Sequence, residues 1–156
     1  MINDDFLATE LNKVEEFLLK TLKTRSKTVE ASLERFVKSG GKRLRPTFTI
    51  IGSTFGNYNS EVVIPLATAI EIMHMATLIH DDIIDDALFR RGVTTVQAKW
   101  GKDIAVFLGD YLFSTAFALI TDNCPVENFG IITKTLQNIC EGEISQYEDR
   151  FSTDVS

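Results

Sequence analysis

Cysteine, histidine, proline and net positive charge are all scarce in this chain, and each scarcity removes a class of protein. Two cysteines, Cys124 and Cys140, are too few for a disulfide framework or a zinc ribbon. Two histidines, His74 and His80, are too few for a multi-histidine metal site. Three prolines and nine glycines exclude collagen-like and low-complexity chains. Acids outnumber bases 22 to 16, and the resulting charge of −6 excludes an overall electrostatic grip on nucleic acid. A local basic cluster around a small anion stays compatible with that charge. No uninterrupted apolar run reaches the ~18–20 residues of a membrane span. The opening MINDDFLATE is acidic where a signal peptide is basic. The chain therefore reads as soluble, cytoplasmic and reduced. Apolar residues, at 44% of 156, suffice for the core of one domain.

Helical periodicity dominates the order of those residues. Leu7, Leu11, Val14, Leu18 and Leu22 recur at three- and four-residue steps and predict a helix over about 4–23. A second helix is expected over 28–38, with Val29, Leu33, Phe36 and Val37 inward and Gly40-Gly41 as its stop. Pro46 suits the first turn of a third, carrying Phe48, Ile50 and Ile51, before a turn at 56–60. The longest prediction, 64–86, opens near Pro65 and is apolar on most sides, as a central bundle helix is. Two more are expected at about 102–121 and 127–150, with Phe107, Phe113, Phe117 and Leu119 in the core. Nothing reads as a hairpin. The expected fold is an all-α helical bundle.

Chemistry concentrates where the long helix ends, in His80-Asp81-Asp82-Ile83-Ile84-Asp85-Asp86, followed by Arg90-Arg91-Gly92. Asp81 and Asp85 are one turn apart and share a face, with Asp82 about 100° round. Like charges at that spacing repel by a few tenths of a kcal/mol, and the helix C-terminus is itself negative. A bound cation removes both penalties. Oxygen ligands without thiolate favour Mg²⁺ over Zn²⁺. A solvated acidic helix end is the alternative, made less apt by the apolar sequence that precedes it.

Gly40-Gly41-Lys42-Arg43-Leu44-Arg45-Pro46 places three bases within four residues and suits a short oxyanion such as diphosphate, or else a basic surface junction. His74 lies seven residues before Asp81, on roughly the same side. Taken alone it reads as a core histidine; its alignment with the acids points to ligand contact. Glu143, Gln146 and Arg150 form a polar stripe on the last helix, open to either solvent or a site.

Together these motifs resemble the trans-polyprenyl (isoprenyl) diphosphate synthases. The likeness rests on Gly-Gly-Lys-Arg-Leu-Arg-Pro at 40–46, His74, Asp-Asp-Ile-Ile-Asp at 81–85, Arg-Arg-Gly at 90–92 and Gly109-Asp110-Tyr111-Leu112, in that order. It covers the N-terminal half of a usual family member and implies an isoprenoid synthase-like fold, an all-α helical bundle around a central cavity, incomplete in residues 1–156 and without the family's second aspartate motif. It implies that Lys42, Arg45 and His74, with Arg91 alongside, hold the diphosphate of isopentenyl diphosphate. Asp81, Asp82 and Asp85 are then the Mg²⁺ ligands that bridge to an allylic diphosphate, Arg90 contacts that leaving group, Asp86 supports, and Gln146 faces the allylic site. Ala76, five residues before Asp81, is small where a bulky aromatic limits short products, so a medium or long polyprenyl chain is expected. A homodimer is expected, and a truncated bundle exposes apolar faces that favour self-association.

Three other readings are set against this one. A terpene cyclase shares the ionisation chemistry but has no use for Lys42, Arg45 and Arg91. A His-Asp phosphohydrolase, prompted by His80-Asp81, needs more histidines than the chain has. A non-catalytic helical partner subunit fits the missing half.

Overall fold

A computed structural model describes residues 3–38 and 41–150. The chain divides into two compact units, residues 1–123 and 124–156. In the first, α1 (Asp4–Thr21), α2 (Lys27–Lys38) and α3 (Leu44–Ser53) precede the long α4 (Ser60–Ile84). A hairpin of β1 (Phe89–Arg90) and β2 (Val93–Thr94), a short α5 (Val96–Trp100) and α6 (Lys102–Asn123) follow. The second unit holds a 3₁₀ turn, Val126–Asn128, and α7 (Phe129–Asp149).

The α1 stripe folds as its spacing predicts. Asn3 caps the helix by accepting from Phe6 N at 2.8 Å, and Asp4 and Asp5 complement the positive end of the helix dipole. Val14, Leu18 and Leu22 are buried, while Leu7 and Leu11 pack with Phe6, Phe17 and Tyr58 against Val14, Ile50, Val63, Ile64 and Ala67. Glu10 is buried in the same stripe, bonded to Tyr58 Oη, Ser60 Oγ and Lys13 Nζ. Burial pushes its carboxyl up, but those bonds outweigh burial and hold it below the usual value. The Tyr58 phenol is pushed up to about 12 by burial and by its bond to Glu10.

Helix α4 is central, packed by α1, α3, α5 and α6. It starts four residues earlier than expected, because Asn59 caps it by accepting from Glu61 N at 3.0 Å. Pro65 therefore lies inside the helix and withdraws one donor; the orphaned carbonyl is that of exposed Glu61, where water can serve. Both α4 and α6 are long and apolar enough to cross a membrane by length and composition, which corrects the expectation that no segment is. Of the apolar window in α4, 61% is buried inside the protein, the mark of a core helix; in α6 it is 33%.

Two further expectations change. Phe107 and Phe117 are 67% and 43% exposed, so α6 turns aromatics outward; in the third helix Ile50 is buried and Phe48 is 68% exposed. The hairpin escaped notice because two-residue strands carry no alternation. Its turn, Arg91-Gly92, has φ of 50° and 77°; two successive positive values make the tight reversal, and glycine takes the second without strain. The Gly40 stop lies outside the described residues, although α2 does end at Lys38.

Candidate functional site

The basic segment between α2 and α3 separates its charges by function. Arg43 adopts a left-handed backbone (φ 46°, ψ 37°), an unfavourable geometry of about 1–2 kcal/mol for a side-chain-bearing residue. Its guanidinium turns inward and offsets that cost. It donates to Glu15 on α1, to Glu71 Oε1 on α4 at 2.8 Å and to the Val37 carbonyl at 2.8 Å. Burial alone would lower the Arg43 pKa, yet the two glutamates raise it above the ordinary value. Lys42 and Arg45, on either side, are exposed and form no ion pair among the described residues.

The aspartate end of α4 closes with a Schellman cap. Ala87 N donates to Asp82 O at 2.9 Å and Asp86 N to Ile83 O at 3.4 Å, with Asp86 (φ 48°) in the left-handed position glycine usually fills. Gln97, buried on α5, donates its amide to Asp82 O at 2.5 Å and Ala87 O at 2.9 Å. Thr95 Oγ1 adds a bond to Ala87 O at 2.7 Å. The Asp86 carboxylate meets Lys102 Nζ at 2.5 Å on the exposed surface. These clamps fix the hairpin beside the helix end. Arg90 Nε then reaches Asp82 Oδ1 at 2.7 Å, with the Asp82 side chain only 4% exposed. Arg91 crosses to the other basic segment: a Cβ on Gly41 would stand 3.3 Å from Arg91 Nη1.

The result is a cavity of about 520 Å³. Seven cationic side chains line it, Arg35, Lys42, Arg43, Arg45, Arg90, Arg91 and Lys99, with two carboxylates, Glu71 and Asp82. Both acids are already paired, with Arg43 and Arg90. In a chain of net charge −6 that local excess fits an anion of several charges. His74 lies among them, and burial first, then Arg45, lowers its pKa, with Arg91 and Arg90 adding to the effect against Glu71. At neutral pH the imidazole is neutral and able to donate one hydrogen bond. Met75, Leu78 and Phe36 make the apolar wall.

Of the residues singled out in the sequence, Lys42, Arg45, His74, Asp82, Arg90 and Arg91 thus meet at one cavity. Asp81 and Asp85 do not line it; Asp81 is half-buried and Asp85, which ends α4, is exposed. The expected three-aspartate metal cluster is not assembled: no group of three His, Cys, Asp or Glu able to hold a metal occurs among the described residues. Asp82 is turned about 100° from Asp81 and about 60° from Asp85 on the helix, and its carboxylate is already paired with Arg90. The remaining pair, Asp81 and Asp85, fits Mg²⁺, which takes one or two carboxylates and completes its shell with water and phosphate. Gln146 and Glu143 are exposed on α7, in the second unit. Ala76 is fully buried and does not line the cavity.

His80 packs between α4 and α6, with Nε2 3.4 Å from the Val106 carbonyl and 3.7 Å from Asp110 Oδ1, and its ring tilted against Phe113. Gly109 is the slot that admits it: a Cβ there would lie 2.1 Å from Nε2. Arg43, Gln97 and Thr95 were missed as organisers of the site. Only the Thr95 side chain, an N-cap to Ala98 N at 3.3 Å, left a local signal in the sequence.

Helices surround a cationic cavity suited to a multiply charged anion, with aspartates ending the central helix. The sequence model of the polyprenyl synthetase family matches residues 26–156, and the chain belongs to that family. It is 36% identical to heptaprenyl diphosphate synthase component 2 of Geobacillus stearothermophilus over 96% of this chain and 47% of that protein. The crystal structure of heptaprenyl diphosphate synthase from Staphylococcus aureus superposes with a TM-score of 0.91 at 33% identity, over 99% of this chain and 48% of that one. A Caulobacter crescentus polyprenyl synthase complexed with calcium and isoprenyl diphosphate gives 0.88 at 28%, over 97% and 46%. The isoprenoid-synthase fold is thereby established, and the chain spans about half the length of the relatives it matches.

Proposed function

We propose that the chain carries the diphosphate-binding half of a prenyltransferase that joins an allylic diphosphate to isopentenyl diphosphate, giving a medium or long polyprenyl diphosphate. The observation that supports this most is the convergence of Lys42, Arg45, His74, Arg90 and Arg91, from three separate segments, on one cavity. Lys42, Arg45, His74 and Arg91 hold the diphosphate of isopentenyl diphosphate, and Arg90 faces the diphosphate that departs. Opposite unit charges ~4 Å apart at an effective dielectric of ~20 attract by about 4 kcal/mol, so a few such contacts supply much of the stabilisation a leaving diphosphate needs. Asp81 and Asp85 are the residues to hold Mg²⁺, which supplies neutralising charge to phosphate oxygens when bound. Met75, Leu78 and Phe36 exclude water from the allylic cation.

A second reading is favoured by the name of the Geobacillus relative, which makes it one component of its enzyme. Here the chain works with another polypeptide, or a second copy of itself, to complete the site. Calorimetry of the purified chain with isopentenyl and allylic diphosphates, with and without Mg²⁺, tests both. Mg²⁺-dependent allylic binding that Asp81→Ala abolishes supports the metal assignment; unaltered affinity in that variant refutes it. Elongation by the chain alone supports a self-sufficient enzyme, and binding without turnover the component reading.

A further inference from the structure

The cationic lining extends past the residues assigned to diphosphate, to Arg35 on α2 and Lys99 on α5. The two lysines of α2 are matched within the helix, Lys27 with Glu30 at 3.2 Å and Lys38 with Glu34 at 3.6 Å. Arg35 enters no ion pair among the described residues; it is exposed, at the cavity. Lys99 is exposed too, with Nζ 4.6 Å above the Trp100 ring. Trp100 Nε1 reaches Ser32 Oγ at 3.4 Å, which ties α5 to α2.

The net charge gives these positions a task. A chain of −6 repels an anionic ligand at long range, so association depends on a local field of opposite sign at the entrance. Solvated cations contribute little to a bound complex but much to encounter, and salt screens that contribution. We propose that Arg35 and Lys99 form an outer capture rim that draws a diphosphate ester toward Lys42 and Arg45. The proposal rests on the cavity being the diphosphate site.

The lone tryptophan, Trp100, lines the cavity, so its fluorescence reports occupancy. Stopped-flow mixing with inorganic diphosphate at ~0.05 M and ~0.5 M salt measures association and dissociation separately. Arg35→Gln and Lys99→Gln should each lower the association rate constant about threefold at low salt, leave dissociation nearly unchanged, and match wild type at high salt. Lys23→Gln, an equal charge change at an exposed residue outside the cavity, should bind as wild type does. Unchanged association in both rim variants, or a loss confined to dissociation that persists at high salt, overturns the rim while wild-type binding still upholds the site. Absence of diphosphate binding by wild type, checked by calorimetry, overturns the site itself.

Discussion

Alanine at Gly109 is the most discriminating substitution this architecture offers, because its sign depends on a residue on another helix. Gly109 lies inside α6, where alanine ordinarily adds about 1 kcal/mol of stability. Here the new methyl would stand 2.1, 2.5 and 2.9 Å from Nε2, Cδ2 and Cε1 of His80, so the ring has to swing away. Leaving its place removes the contact with Phe113, about 0.5–1.5 kcal/mol, and the bond to the Val106 carbonyl, about 0.5–1.5 kcal/mol. Against the helix gain, Gly109→Ala alone should be destabilising by about 0–2 kcal/mol. In a His80→Ala background the obstruction is gone, and the same change should stabilise by about 1 kcal/mol. Urea denaturation of the four proteins, followed by circular dichroism, gives the coupling directly, expected at about 1–3 kcal/mol. Equal effects in the two backgrounds, within about 0.5 kcal/mol, would refute the slot.

Removing the Arg43 side chain with Arg43→Ala leaves Glu71, 7% exposed, without its partner and should cost about 3–5 kcal/mol in the same assay. The His74 imidazole should titrate below its ordinary range in an NMR pH series. Its lowered folded pKa means the unfolded chain binds the proton first, so its contribution to stability is present above the ordinary histidine value and is lost on acidification through the folded one. Arg45→Gln should move that midpoint upward, since Arg45 is the chief charged cause of the shift; an unmoved midpoint contradicts the pairing of these residues at the cavity. Lys42→Leu should weaken isopentenyl diphosphate about tenfold or more while sparing the allylic substrate, and equal losses for both would undo the division of roles.

Signals carried within one turn of chain were readable in the sequence, and pairings across long separations were not. The α1 stripe and the apolar length of α4 follow from spacing alone. The meeting of Lys42, Arg45, His74, Arg90 and Arg91 at one cavity did not follow from spacing; the resemblance suggested roles for them, and the fold brings them together. Nothing local set Arg43 apart from its basic neighbours, because Glu15 and Glu71 each lie 28 residues away. The aspartates show the same limit. Their angular offset was visible, but Arg90 taking Asp82 depends on a hairpin of two-residue strands that hydrophobic patterning cannot register. Outward-facing Phe107 and Phe117 were assigned to the core on composition, which carries no direction.

Arg43 also bears on any attempt to transplant this anion-binding corner. Three bases in four residues would crowd like charge onto one surface if all faced outward. The fold avoids this by drawing the middle one indoors, against acids supplied by α1 and α4. A grafted Lys-Arg-Leu-Arg loop that leaves those two glutamates behind inherits the repulsion without its remedy, and its outer pair loses the bend that aims it.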